Sequence, residues 1–191
     1  SVSIALMTIL FGVTIWEVTQ STHQGIVLPP KFYFNNLLRF DGFSVWFNLL
    51  MTGCTLLYML LLGKEIKKVG LHVAEYFALI SFILVGIFLL SSYNHMLMLF
   101  LGIEILSIPQ YILAGSDKRS LKSSEASLKY FIMGAFTTGI LLMGITLIYG
   151  STGTFYVGDY AQLGRGGVNP MVVAGIVLMI VALGFKVSAA P

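Results

Sequence analysis

The sequence predicts an all-α protein, a polytopic bundle of transmembrane helices. Three observations carry that prediction. Apolar residues fill 57% of the 191 positions and charged residues only 10%, against about 25% charged in an ordinary soluble domain. Mean hydropathy is +0.91, and a soluble fold of this size cannot hide so much apolar surface. The apolar residues also fall into six long runs, not into the short alternating segments of a membrane barrel. Length alone bounds the chain to one domain, here residues 1–191 as a single transmembrane unit.

Crossing about 30 Å of hydrocarbon takes about 20 apolar residues in a helix. Backbone groups in lipid need internal partners, and a helix supplies them. The runs predict spans at about 2–18, 43–62, 76–90, 95–114, 128–149 and 170–190. The first lacks the basic flank and small-residue cleavage site of a signal peptide. Ser1 is not an initiator methionine and Pro191 follows directly on the last span, so the sequence reads as a piece of a longer protein.

Lysines and arginines orient the bundle. Lys64, Lys67 and Lys68 lie between spans two and three, and Lys118, Arg119 and Lys122 between four and five. The other face has Lys31, Arg39 and Arg165, and the turn Ser91–Asn94 has no basic residue. The N-terminus and the loops at about 63–75 and 115–127 are therefore expected in the cytoplasm. Trp16, Trp46, Tyr93 and Tyr149 near span ends suit the headgroup layer. Small residues such as Gly134, Gly144, Gly175 and Ala182 favour close helix packing. Cys54, inside an apolar run, reads as a small buried hydrophobe.

The charge of +3 comes without a basic run, which argues against nucleic acid as a partner. The three histidines, His23, His72 and His95, lack metal-ligand spacing. The glycines around Arg165 follow no strand and precede no phosphate-loop Lys–Ser. No nucleophile–base arrangement is visible, so bond-making and redox chemistry have no apparent seat in this chain.

Two charges stand out because lipid makes them costly, by about 2.5–3.5 kcal/mol on insertion scales. Glu104 sits in the middle of the fourth span and Lys186 near the end of the sixth. The alternatives are a structural ion pair or a protonated acid for Glu104, and snorkelling for Lys186. Ser107 and Tyr111 follow Glu104 by three and seven residues, which puts all three on one helix face. Pro109 between them removes a backbone hydrogen bond and can kink the helix. A polar stripe beside a kink suits a hydrated path. Lys129 lies four residues after Glu125, a favourable helical pair that surface pairing explains.

Three stretches now carry a resemblance: Phe100–Leu–Gly–Ile–Glu–Ile–Leu–Ser–Ile–Pro–Gln–Tyr111, Glu125–Ala–Ser–Leu–Lys–Tyr–Phe–Ile–Met–Gly–Ala–Phe136, and Gly184–Phe–Lys–Val–Ser–Ala–Ala–Pro191. With their order and spacing, the sequence resembles subunit N of the proton-pumping NADH–quinone oxidoreductases, respiratory complex I, within the antiporter-like membrane subunits. The first and third stretches recur across that superfamily, and the second favours subunit N. Such subunits have about fourteen helices in inverted repeats with broken helices. The resemblance implies that this chain covers helices two to seven and ends at the first break, at Pro191. It implies that Glu104 and Lys186 form the charge pair of one proton half-channel, with Lys129 as a neighbour in the relay. It also implies that NADH, FMN, iron–sulfur clusters and quinone are bound by other subunits, the partners being other membrane subunits and the bilayer. A cation/proton antiporter or membrane-bound hydrogenase subunit, and a structural subunit without a proton path, are the alternatives.

Overall fold

The computed structural model describes residues 2–23, 30–62, 73–117, 120–162 and 169–189. Pro191, Arg165, His72, and the basic residues Lys64, Lys67, Lys68, Lys118 and Arg119 lie outside them. Among the described residues there are six α-helices: α1 (Val2–His23), α2 (Gly42–Leu62), α3 (Val73–Ser92), α4 (Met96–Ala114), α5 (Leu121–Thr152) and α6 (Pro170–Lys186). Each packs against its neighbour in sequence, most extensively α3 on α4 and α5 on α6.

Among the described residues five helices are long and apolar enough to cross a membrane, whereas α6 has 17 residues. The expected sixth span ran to about residue 190, but the helix ends at Lys186 and Ser188 takes a left-handed φ of 57°. The fifth helix departs the other way. It has 32 residues and starts at Leu121, where the Ser120 hydroxyl accepts the Ser123 N–H at 3.4 Å. Hydropathy marked only its apolar part; the polar first two turns are helical because a capping serine opens them.

The sequence reading did not foresee a hairpin, β1 (Lys31–Tyr33) paired antiparallel with β2 (Leu38–Phe40). Three-residue strands are too short to show alternation. Its turn holds Phe34, Asn35 and Asn36 at positive φ, a region that asparagine tolerates better than most residues. The hairpin joins the α3–α4 link and the segment after α5 in a cap at one end of the bundle. Asn94 N–H donates to Leu37 O at 3.0 Å, Val157 N–H to Asn94 O at 3.1 Å, and Met96 N–H to Phe155 O at 2.9 Å. These three segments were assigned to one membrane face from charge, and the structure brings them together.

Along part of α2 the usual soluble pattern is inverted. Ser44, Asn48 and Thr52 on α2 are buried, while Leu50, Leu57 and Leu61 point outward. Ser91 Oγ donates to Asn48 Oδ1 at 2.6 Å and Ser44 Oγ to Ser91 O at 2.8 Å, joining α2 to α3. Cys54, expected to be buried, is exposed on α2. Its apolar setting marks separation from water, and in a membrane lipid or a partner achieves that as well as a core does.

Asp41 opens α2, its Oδ1 accepting the Ser44 N–H at 3.0 Å. Burial pushes its carboxyl up, but the Ser44 backbone and hydroxyl, with Arg39, outweigh this and hold it below its ordinary value of 3.8. A lowered value stabilises the fold above the unfolded pKa and is lost as pH falls through the folded one.

Glycines set the closest helix approaches. A Cβ on Gly144 would lie 2.8 Å from Gly175 O, and one on Gly175 would lie 2.8 Å from Gly144 O. A Cβ on Gly139 meets nothing within 4 Å. Gly144→Ala is therefore expected to destabilise by about 1–3 kcal/mol, and Gly139→Ala not at all, read as thermal midpoints in detergent. Asp41→Ala is expected to cost about 1 kcal/mol at neutral pH, with the gap to wild type closing below pH 3.8.

Candidate functional site

Helix α4 carries three polar residues on one face. Glu104 is partly buried, while Ser107 and Tyr111 are 1% and 6% exposed. Ser107 Oγ donates to Ile103 O at 2.6 Å, which spends its proton within the helix. Pro109 sits inside α4, which continues through it. Without an N–H at Pro109, the carbonyl one turn earlier, at Ile105, loses its helical donor.

The opposing group comes from α6. Lys186 Nζ donates to Ser107 Oγ at 2.8 Å and to Tyr111 Oη at 3.0 Å, and lies 5.6 Å from the Tyr111 ring centroid. The expected partner was Glu104. No ion pair joins Glu104 to Lys186, and Glu104 Oε1 is buried without a hydrogen-bond partner. None of the described charged residues is fully buried, so the fully buried acid–amine pair is not the arrangement present. The cause is axial. Ser107 lies ~4.5 Å and Tyr111 ~10.5 Å further along α4 than Glu104, at 1.5 Å per residue, and α6 delivers its lysine at that level. Glu104, Ser107 and Tyr111 share one face of α4, and the amine meets that face one turn beyond the carboxylate.

Helix α5 shapes the site from the side. A Cβ on Gly134 would fall 2.0 Å from the Tyr111 hydroxyl, so the phenol lies in a notch that only glycine leaves open. Tyr130 and Phe131 meet the same ring edge-on, with centroids at 4.7 and 5.8 Å. Ser127 Oγ donates to Tyr111 O and Ser123 Oγ to Ala114 O, each at 2.8 Å. Sequence reasoning noted Gly134 as a small residue but missed this pairing with Tyr111, since a packing notch has no sequence spacing. An apolar core of Leu99, Ile103, Leu141, Ile145, Ile148 and Met179 holds α4, α5 and α6 together.

Lys129 stands apart. It pairs with Glu125 one turn back, both side chains being well exposed, 68% and 63%. The structure does not bring it to Lys186. His95 accepts the Leu97 N–H through Nδ1 at 3.3 Å and contacts the Phe155 and Tyr156 rings; burial pushes its imidazole below the ordinary value of 6.5. Among the described residues, no three His, Cys, Asp or Glu side chains group as metal ligands.

This arrangement belongs to a known architecture. Over 163 residues the chain is 44% identical to NADH-quinone oxidoreductase subunit N of Cytophaga hutchinsonii, covering 85% of this chain and 35% of that protein. It is 36% identical to the subunit N of Flavobacterium psychrophilum, over 95% of this chain and 38% of that one. The chain thus spans just over a third of the length of these relatives. Its structure is similar to a chain of respiratory complex I from Thermus thermophilus, at TM-score 0.73 and 27% identity, covering 96% of this chain and 37% of the other. The sequence model of the family described as NADH:quinone oxidoreductase/Mrp antiporter, TM, matches residues 92–191. That stretch takes in a little over half of the chain, α4, α5 and α6 included, and the protein belongs to this family of transmembrane subunits.

Proposed function

We propose that this chain is part of a membrane-arm subunit of a proton-pumping NADH–quinone oxidoreductase, and that Glu104 and Lys186 serve one proton half-channel within it. The observation that carries the reading is an amine inside the bundle, bound by two hydroxyls, with a carboxylate oxygen one turn away that lacks a partner. An unpartnered carboxylate oxygen and a long, flexible amine side chain offer two places for one positive charge. The relatives named subunit N support the choice of complex.

The physics needs no cofactor in this chain. A nearby carboxylate strengthens an amine's hold on its proton, and apolar surroundings weaken it. Lys186 beside Glu104 holds a proton; withdrawn to the hydroxyls it passes that proton to a chain of water, and it regains one when it returns to the carboxylate. Quinone reduction in neighbouring subunits drives the exchange, with NADH, flavin, iron–sulfur clusters and quinone held there. On the charge count, the N-terminus and the links between α2 and α3 and between α4 and α5 face the cytoplasm, with the chain in a bacterial inner membrane.

A second reading, a subunit of a cation/proton antiporter, draws on the family description, which spans both classes. Copurification with quinone-reductase or with antiporter subunits separates the two.

In the assembled complex, Glu104→Ala and Lys186→Ala are expected to lower NADH-driven proton uptake into inverted vesicles by about tenfold or more. Normal pumping by either assembled variant overturns the role. Lys129→Ala is expected to lose far less. Its pairing on an exposed helix face is worth about 0.3–0.5 kcal/mol, and a loss matching that of Lys186→Ala would place it in the relay.

A further inference from the structure

We propose that the Tyr111 hydroxyl, seated in the Gly134 notch, is a positioning residue that holds Lys186 after the lysine has given up its proton. The inference rests on the half-channel reading above and adds a role which that reading leaves open. An ammonium has three donors and no acceptor, whereas a neutral amine has two donors and a lone pair that needs one. The groups around Lys186 differ in what they offer. Ser107 has committed its O–H to Ile103 O and can only accept. An ionised Glu104 carboxylate can also only accept, so it suits the ammonium and opposes the amine's lone pair.

Tyr111 is different. Its oxygen lies 3.0 Å from Lys186 Nζ, and among the described residues its O–H has no other acceptor. Turning that one O–H lets Tyr111 accept from the ammonium or donate to the amine, with no heavy atom moving. Toward the ammonium, two N–H groups donate to Ser107 and Tyr111. Toward the amine, one N–H donates to Ser107 while the Tyr111 O–H donates to the nitrogen. Each form keeps two hydrogen bonds.

The oxygen must stay in place for this, and the packing fixes it. The ring is flanked edge-on by Tyr130 and Phe131, and its hydroxyl end lies where the Cβ of any residue but glycine at 134 would stand. The phenol is held and only its proton turns. A tyrosine serving packing alone would not need its hydroxyl against the amine.

The test uses the full-length subunit in the assembled complex. Tyr111→Phe keeps the ring and removes the oxygen. Coupled turnover is expected to fall by about tenfold, the scale of one hydrogen bond to a charged group. The alkaline limb of its pH–rate profile is expected to move by about half a pH unit or more. Gly134→Ala, which displaces the phenol, is expected to move the same limb. Tyr58→Phe, which removes a hydroxyl paired with Tyr76 between α2 and α3, is expected to leave it in place. A wild-type profile with turnover within about twofold of wild type in either Tyr111→Phe or Gly134→Ala overturns the proposal. Lys186→Ala, run alongside, tells the two levels apart. If it fails and Tyr111→Phe does not, the tyrosine's role alone is lost; if it too pumps normally, the half-channel reading falls.

Discussion

An amine placed among apolar helices must spend its donors on something, and Lys186 spends two of them on α4. Much of the second half of the chain is arranged around that need. For α6 to deliver the lysine, it has to lie close along α5, and Gly144 and Gly175 let the two backbones nearly touch. For α4 to present its oxygens, Tyr111 has to lean into α5, and Gly134 leaves the room. Lipid gives helices no hydrophobic reason to associate, so such close fits and interhelical hydrogen bonds carry the association.

The first half of the bundle solves the same problem without charge. Ser44, Asn48 and Thr52 line the face of α2 turned toward α3, and hydroxyl and amide groups satisfy one another across it. Below them an apolar cluster of Met7, Met59, Phe77, Ile80 and Leu84 ties α1, α2 and α3. In both halves buried polar groups sit beside an apolar cluster, and further apolar bulk faces outward.

Much of this was legible in the sequence, for stated reasons. The bilayer imposes a length on helices, so the apolar runs gave their number and approximate position. Helical geometry imposes a spacing, so Glu104, Ser107 and Tyr111 were placed on one face. What the periodicity of one helix cannot carry is the height at which another helix meets it. The pairing of Glu104 with Lys186 came instead from the family resemblance, and in the structure the amine meets Ser107 and Tyr111. Hydropathy likewise measures avoidance of water, not direction, and so it misjudged Cys54 and stopped short of the polar start of α5. The hairpin fell below the length at which strand alternation can be read.

Helix α4 is fastened at both extremities. Its first turn is tied to Phe155 and capped by His95, and its last turns are tied by Ser123 and Ser127 to α5. A rod clamped at its two ends cannot slide or tip as a piston; it can only bow at the middle, where Pro109 has already removed one rung of the ladder. On the half-channel reading, any movement of charge there would fall to swinging side chains within a stationary frame.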